Sequence, residues 1–202
     1  MPLLILEGGE GCGKDTHIDL LKKKLDPTRT VFTREPGGTR FGEKLRSILL
    51  DMETHIEIET ELLLFLAARA ELKRTVIQPA IDAGKLVISN RFGLSTIAYQ
   101  IYGRQRFDMT PLLESASMFI IGDLEAHYIL LDVPPEIGLG RVEKRNDGLT
   151  RFDAERLEFH RRVRQGYLSH YNDGGRGVCI DATASIERIA EQITEQMNRW
   201  NM

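Results

Sequence analysis

Five short apolar runs recur along the chain, and longer amphipathic stretches separate them. The runs are nearly continuous rather than alternating between apolar and polar positions. That pattern is typical of strands buried on both faces of a parallel sheet. The predicted strands cover residues 3–6, 30–33, 86–89, 128–133 and 178–180.

Between the apolar runs, hydrophobic positions recur at helical spacing. The pattern predicts helices over residues 14–25, 40–50, 57–83, 94–102, 111–121, 135–145, 153–171 and 185–200. Strands that alternate with helices indicate one doubly wound α/β domain over residues 1–202, with a five-stranded parallel sheet. Ligands are then expected at the carboxyl ends of the strands.

A glycine-rich loop follows the first predicted strand and leads into the first predicted helix. Its residues are Gly8, Gly9, Glu10, Gly11, Cys12 and Gly13, followed by Lys14. Glycines let backbone N–H groups approach a polyphosphate, and the lysine adds a positive charge for the β- and γ-phosphates. The order strand, loop, helix is the one that a phosphate-binding loop requires.

The residue after Lys14 is Asp15, where the standard motif has a Ser or Thr that binds Mg²⁺. Thr16 lies one place further and points about 100° further round the helix. Either Asp15 reaches the metal as a carboxylate, or the metal is held elsewhere.

Two arginines stand at the ends of successive predicted strands. Arg34 opens the turn that runs to Thr39, the expected helix N-cap, and Arg91 follows Asn90. A guanidinium fork matches phosphate oxygens, so the pair predicts a second anion clamp. A surface ion pair is the alternative for either arginine alone.

Composition narrows the class of protein. The net charge of −3 gives no basic field for nucleic acid, and no stretch approaches 18 apolar residues. The start of the chain has no charged segment and cleavage site of a signal peptide. Two cysteines supply no disulfide framework, so we expect a reduced, cytoplasmic protein that does not bind membranes.

Together these motifs resemble the thymidylate kinase family, and they occur in family order over nearly the whole length. The matching segments are LEGGEGCGK (6–14), TREPGGT (33–39), LFLAARAE (64–71), NRF (90–92), STIAYQ (95–100), LDVPPE (131–136), RFD (151–153) and IDA (180–182). The resemblance implies the P-loop kinase fold with a short mobile lid over about residues 143–153. It also implies transfer of the γ-phosphoryl group of ATP to dTMP, with Mg²⁺.

The resemblance also implies roles at the donor end. The ATP phosphates would be held by Lys14 and the loop, with cofactor-binding positions Gly8, Gly9, Gly11, Cys12, Gly13, Asp15 and Thr16. Arg141, Asp181 and Ala182 would lie near the adenine. Asp15 and Asn90 would be the metal positions.

At the acceptor end, the resemblance implies that Glu10 accepts the sugar 3′-hydroxyl and that Arg34 and Arg91 grip the dTMP phosphate. Phe65 would stack on thymine and Arg69 would bond its O4, since residues at i and i+4 share a helix face. Core packing is the alternative for Phe65. Pro36, Ser95, Thr96 and Tyr99 complete the implied acceptor residues, with Tyr99 selecting deoxyribose.

A catalytic arginine in this family lies either in the phosphate loop or in the lid. The loop here has no basic residue, so the bacterial-type arrangement is expected, with Arg151 as first candidate and Arg145 as second. Arg141 and Lys144 precede the lid. A solvated basic face is the alternative for all four.

Three departures from the family pattern bear on function. Asp15 replaces a hydroxyl residue, Asn90 replaces an aspartate, and residues 101–106 replace a glycine-rich stretch. Asp15 compensating for Asn90 is one hypothesis. The alternatives to a dTMP kinase are a kinase of another deoxypyrimidine monophosphate such as dUMP, an inactive nucleotide-binding paralogue, and a P-loop GTPase or motor, which the missing guanine-reading motif and short length disfavour.

The segment 62–68 is more hydrophobic than a monomer needs. Together with the resemblance, it predicts a homodimer.

Overall fold

A five-stranded parallel sheet forms the centre of the fold. The computed structural model describes residues 3–144 and 148–202. The strands are β1 (Leu3–Glu7), β2 (Thr30–Arg34), β3 (Leu86–Asn90), β4 (Ala126–Asp132) and β5 (Gly177–Asp181). Their order is β2-β3-β1-β4-β5, and all four pairings are parallel. The predicted α/β sheet is therefore confirmed.

Helices connect and cover the strands. They are α1 (Lys14–Lys24), α2 (Arg40–Leu50), α3 (Ile58–Leu72), α4 (Gln78–Asp82), α5 (Gly93–Thr96), α6 (Thr110–Ile121), α7 (Pro135–Glu143), α8 (Leu157–His170) and α9 (Ile186–Arg199). Two π-helical segments, Lys73–Ile77 and Ile97–Gly103, and two 3-10 turns, Phe107–Met109 and Asp173–Gly175, complete the order. Thr39 caps α2 as expected, since its side chain accepts a hydrogen bond from the Gly42 N–H.

Both faces of β1 are covered, which explains its unbroken apolar run. Leu4 and Leu6 belong to a core with side chains of α1 and α9. Leu3 and Ile5 pack on the opposite face with Leu72 at the end of α3. Because β1 is central and its neighbours β3 and β4 lie on either side, the loop that follows it lies at the switch point of the sheet.

The prediction of a single α-helix over residues 57–83 is wrong in one respect. A π-helical turn over Lys73–Ile77 interrupts it, and the Gln78 N–H donates to the Lys73 carbonyl oxygen five residues back. Pro79 follows, has no N–H and cannot bond to the carbonyl of Thr75, so the helix widens before it.

Two further helix predictions need correction. The helix expected over 94–102 begins at Gly93 and is π-helical over Ile97–Gly103. The helix expected over 153–171 begins only at Leu157. Before it, Asp153 Oδ2 accepts hydrogen bonds from the backbone N–H and hydroxyl of Thr150, at 2.8 and 2.6 Å, which fixes a turn.

Candidate active site

A cavity of about 870 Å³ opens at the carboxyl edge of the sheet. Most of the predicted site residues line it: Glu10, Gly11, Cys12, Gly13, Lys14, Asp15, Thr16, Arg34, Pro36, Phe65, Arg69, Asn90, Arg91, Ser95, Thr96, Tyr99, Arg141 and Ala182. They come from positions spread over 173 residues of sequence, from 10 to 182 (182 − 10 + 1). The volume is in the range of small-molecule sites.

The glycine-rich loop has a backbone shape that side chains would obstruct. Gly11 has a φ of +68°, and a Cβ there would lie 2.0 Å from the carbonyl oxygen of Gly138 in α7. Gly13, with a φ of +90°, begins α1. The backbone N–H groups of the loop therefore lie next to the N-terminus of a helix, and this arrangement is typical of an anion-binding site.

Lys14 lies inside this loop. Its Nζ donates to the carbonyl oxygens of Gly8 and Gly9, both at 3.0 Å, and to Cys12 Sγ at 3.2 Å. The ammonium group is buried and has no carboxylate in this set of contacts. It is thus held where a bound phosphate can compete for it.

The two residues expected at the metal positions, Asp15 and Asn90, contact each other. Asn90 Nδ2 donates to Asp15 Oδ1 at 2.6 Å, which joins the end of β3 to the first turn of α1. Asn90 Oδ1 is buried and has no hydrogen-bond partner among the described residues. The carboxylate of Asp15 and the amide oxygen of Asn90 thus lie close together beside the glycine-rich loop. Oxygens of these two kinds, together with those of water and phosphate, are suitable ligands for Mg²⁺. No cluster of three His, Cys, Asp or Glu within residues 3–144 and 148–202 could hold a metal ion alone.

Arg91 links the glycine-rich loop to the hydroxyl groups of Tyr99 and Tyr167. Its Nη1 donates to the Gly8 carbonyl oxygen at 2.9 Å and to the Tyr167 hydroxyl at 2.8 Å. Its Nη2 donates to Glu10 Oε1 at 2.9 Å and to the Tyr99 hydroxyl at 3.1 Å. Arg91 itself has a φ of +70°, a strained value for a side chain of this size.

Glu10 is ionised in this setting. Burial acts to raise the pKa of its carboxyl, but the charges of Arg91 and Lys14 and a 2.6 Å hydrogen bond from the Tyr99 hydroxyl outweigh it. The pKa falls from its usual 4.5 to about 2. Burial raises the pKa of the Tyr99 phenol well above its usual value, so the hydroxyl keeps the proton that it donates.

A second group of arginines lies beside Arg91. Arg34 donates to Glu43 Oε2 at 2.9 Å, and Arg46 donates to the Pro36 carbonyl oxygen at 3.0 Å. Both line the cavity. Burial, with the nearby charges of Arg34 and Arg91, lowers the pKa of Arg46. Three guanidinium groups that repel one another favour an anion between them.

The far end of the cavity is built around Arg69. This fully buried side chain makes a two-pronged ion pair with Glu35, whose closest N–O distance is 2.7 Å. Its Nη2 also donates to the Phe92 carbonyl oxygen and to Thr96 Oγ1, at 3.1 and 2.8 Å. Arg69 Nη1 is buried and has no hydrogen-bond partner among the described residues. A buried donor in this state fits a ligand acceptor.

Three aromatic rings meet at the side of the cavity. The Phe152 ring centroid lies 6.1 Å from that of Phe65 and 5.6 Å from that of Tyr99. Phe65 is only partly buried and lines the cavity, so core packing does not account for all of its surface. One of its faces can take a flat ring.

Arg141 and Ala182, two positions that the resemblance places near the adenine, contact each other. Arg141 donates to the carbonyl oxygens of Ala182 and Gly11, at 2.9 and 3.3 Å, and so lies across the loop. Ala182 lines the cavity. The Asp181 side chain instead accepts hydrogen bonds from the backbone N–H and hydroxyl of Thr183, at 2.8 and 2.7 Å, and it is exposed.

Of the two arginines expected in the lid, Arg151 lies within the described residues and Arg145 does not. Arg151 points to Glu61, to which its Nη2 donates at 2.5 Å, and its Nε donates to the Leu49 carbonyl oxygen at 3.3 Å. It is not among the residues that line the cavity. Arg145 lies outside the described residues.

The sequence interpretation missed several residues of the site. Glu7, fully buried at the end of β1, accepts hydrogen bonds from the Phe92 N–H at 2.8 Å and from the Ser95 hydroxyl at 2.6 Å. The Tyr167 hydroxyl also donates to it, at 3.1 Å. Ser95 is thereby held by Glu7 rather than left free for a ligand. A charged residue at the end of an otherwise apolar strand is the signal that could have found Glu7.

Comparisons with known proteins agree with this geometry. The profile of a family described as thymidylate kinase matches residues 6–193. A thymidylate kinase of Maridesulfovibrio salexigens is 44% identical over 202 residues, covering 94% of this chain and 92% of the relative. One of Kosmotoga olearia is 41% identical over 196 residues, with the same coverage. The crystal structure of thymidylate kinase from Ehrlichia chaffeensis matches with a TM-score of 0.78 at 28% identity, over 98% of each chain.

Proposed function

The chain belongs to the thymidylate kinase family and uses ATP to phosphorylate dTMP to dTDP, and we propose that the cavity beside the glycine-rich loop is where it does so. The observation that carries this proposal is the arrangement of three regions in one cavity. A glycine-rich loop, a group of arginines and the unpaired Nη1 donor of Arg69 all line it. A nucleoside monophosphate with its base at Arg69 would present its phosphate to the loop.

At the donor end, we propose that Lys14 and the loop N–H groups bind the β- and γ-phosphates of ATP. Lys14 would exchange its bonds to the Gly8 and Gly9 carbonyls for phosphate oxygens. Arg141 would lie against the adenine, beside Ala182. Phosphoryl transfer needs little covalent chemistry, so these contacts act by position and charge.

At the acceptor end, Arg34, Arg46 and Arg91 would hold the dTMP phosphate in line with the γ-phosphate of ATP. Arg91 contacts both Gly8 in the loop and Tyr99 on the acceptor side, so it is suited to stabilise charge on the group in transfer. Glu10 is ionised and would accept the 3′-hydroxyl. Tyr99, held beside it, would exclude a 2′-hydroxyl.

The thymine ring would lie against Phe65. Arg69 Nη1 would donate to its O4, which gives this buried donor the partner that the protein does not supply. Thr96, whose oxygen already accepts from Arg69, would contact the ring with its hydroxyl proton. Pro36 would line the same end.

We propose that Asp15 and Asn90 hold Mg²⁺, since their oxygens fit this ion. When bound, Mg²⁺ neutralises charge on the ATP phosphates. Asp15→Ala should then raise the Mg²⁺ concentration needed for ATP binding, measured by calorimetry at several Mg²⁺ concentrations. Lys22→Ala, on the exposed side of the same helix, is the control. Unchanged Mg²⁺ dependence in Asp15→Ala would contradict this assignment.

Residues 143–153 are proposed to act as a lid that closes over the phosphates, within a single domain. Arg151 and Arg145 stay the candidates for the arginine that reaches the transferring group. Arg151 would have to leave Glu61 to do so.

The decisive experiment is ADP release from ATP·Mg²⁺ with dTMP, dUMP, dCMP, dGMP and UMP as acceptors. We expect fast turnover with dTMP, weaker turnover with dUMP and almost none with UMP. Lys14→Met is the inactive control. Turnover with UMP equal to that with dTMP would contradict the role of Tyr99, and no turnover with any acceptor would contradict the proposal as a whole.

We further propose a homodimer in the cytoplasm. Helix α3 contacts both α2 and α6, and exposed apolar side chains occur on all three: Phe41, Ile48, Leu63, Leu112, Met118 and Phe119. Exposed apolar surface of this kind favours association. Cys12 and Cys179 are both unpaired, as in reducing compartments. In the described residues, no helix is long and apolar enough to cross a bilayer. Sedimentation at micromolar concentration tests the dimer, and a single monomeric species would contradict it.

A further inference from the structure

Glu61, in the first turn of α3, is a buried carboxylate that contacts two separate parts of the chain, the π-helical segment with the arginine after it and the turn before α8. Only 1% of its surface is exposed. Oε1 accepts from Gln100 Nε2 at 2.9 Å, and Oε2 accepts from Arg104 Nη2 at 3.3 Å and from Arg151 Nη2 at 2.5 Å. A charge so far from water needs such partners, and any loss among them is felt strongly.

These partners surround the aromatic side of the cavity. Arg151 and Arg104 both lie over the Phe152 ring, with guanidinium carbons 5.1 and 5.8 Å from its centroid. The Phe152 ring in turn contacts Phe65 and Tyr99. Glu61 therefore fixes two cations that hold a cavity-lining ring in place.

Glu61 also links elements that are far apart in the sequence. Gln100 lines the cavity from the π-helical segment, and its amide nitrogen Nε2 donates to Glu61. Arg151 belongs to the turn before α8 and bonds to the Leu49 carbonyl oxygen at the end of α2. One carboxylate thus sets the distance between α3, the π-helical segment and the 150–153 turn.

We propose that Glu61 is a positioning residue for the nucleoside of the acceptor. It acts through Arg104 and Arg151, which place the Phe152 ring against Phe65 and Tyr99, and so it fixes the width of the slot for base and sugar. This inference rests on the proposed acceptor site. Glu61 touches no reacting atom, so its loss should change acceptor binding before it changes chemistry or ATP binding.

The test is Glu61→Gln, which keeps the shape and removes the charge. We expect kcat/KM for dTMP to fall about 10- to 100-fold, because binding of dTMP must then also order the two arginine side chains that Glu61 no longer fixes. The fall should lie mainly in KM for dTMP, with KM for ATP within about twofold of wild type. Glu59→Gln is the matched control, since Glu59 lies in the same turn and pairs with Arg106 but is 57% exposed.

The outcomes separate the two proposals. If wild type and Glu59→Gln do not phosphorylate dTMP, the proposed function fails. If they do and Glu61→Gln matches them, the role of Glu61 is refuted. A parallel rise of both KM values in Glu61→Gln would also refute it, because that result reports a general defect.

A second variant guards against a Glu61→Gln protein that does not fold. Arg104→Gln removes one cation and leaves Glu61 paired with Arg151. It should raise KM for dTMP in the same selective way. A lowered kcat at unchanged KM for dTMP would refute positioning through Arg104. In the double variant Glu61→Gln/Arg104→Gln, the KM for dTMP should equal that of the weaker-binding single variant rather than the product of the two effects.

Discussion

Removing the Arg69 side chain should separate what the buried ion pair does for folding from what it does for the base. Arg69→Met leaves the carboxylate of Glu35 buried without its two-pronged partner. Breaking a buried pair in this way costs about 3–5 kcal/mol of unfolding free energy. With a urea dependence of about 3 kcal/mol/M, the urea midpoint should fall by about 1–2 M. Arg74→Met, an exposed arginine five residues on, should leave the midpoint unchanged.

The same variant should weaken dTMP binding. It removes the unpaired Nη1 donor that would meet thymine O4. A hydrogen bond from a charged donor contributes about 1.5–3 kcal/mol, which corresponds to about a 10- to 150-fold rise in Kd. Calorimetry with dTMP measures this rise in Kd directly, in buffer without urea and at a temperature at which the variant is folded.

The double variant Glu35→Leu/Arg69→Met tests the reasoning most sharply. An apolar pair of similar volume should recover most of the lost stability, because it no longer buries a lone charge. It should not recover dTMP affinity, because the donor is still absent. Full recovery of affinity in the double variant, or a wild-type urea midpoint in Arg69→Met, would refute the role given to this pair.

Three further predictions follow from the phosphate loop. The pKa of Glu10 in the folded protein is about 2 against a usual 4.5, so the stabilising contribution of this carboxylate is complete above pH 4.5. The contribution is lost as the pH falls toward 2, and about 2 kcal/mol of it is lost by pH 3. Glu10→Gln should therefore show a flatter decline of stability at acid pH in urea unfolding, and an unchanged decline would contradict the lowered pKa. Gly11→Ala places a Cβ 2.0 Å from the Gly138 carbonyl oxygen at a positive φ, so it should lower stability by at least about 1–3 kcal/mol and raise KM for ATP, whereas Gly140→Ala, with open space around it, should do neither. Asn90→Asp sets a second carboxylate against Asp15, so its melting temperature should fall without Mg²⁺ and recover with MgATP more than that of wild type; equal responses would count against a shared metal site.

The architecture could be predicted from sequence because the strands are covered on both faces. Continuous apolar runs such as 3–6 have few alternative structures when helical segments lie between them. The location of the glycine-rich loop and Arg91 at one edge of the sheet also followed, because both come after the carboxyl ends of predicted parallel strands. The contact between Arg91 and Glu10 in that loop, at 2.9 Å, was not predicted.

The roles of buried acids could not be predicted in the same way. Glu61 stands near the start of a helix, where an acid is ordinarily an exposed residue that complements the helix dipole. Only the tertiary packing of Gln100, Arg104 and Arg151 around it makes it a centre of contacts. Local pattern carries no information about partners 39 to 90 residues away.

The contact between Asp15 and Asn90 could be predicted from the sequence only in part. Asp15 and Asn90 differ from the family pattern, and their coincidence suggested that one compensates for the other. The structure places them in contact across 75 residues of sequence. The direction of that contact, with the amide donating and its oxygen left unpaired, depends on side-chain packing that no spacing encodes.

The strand order has a consequence for synthesis of the chain on the ribosome. Strand β1 is made before the others, yet its two neighbours are β3 and β4. The ribosome must add residues 8–90 before β3, the first of these neighbours, is complete at Asn90, and then residues 91–132 before β4 is complete. At about 5–20 residues per second, the first stage takes roughly 4 to 17 s. During that time the apolar segment 3–6 has no neighbouring strand with which to pair, so the nascent chain must avoid aggregation through this segment until β3 is made.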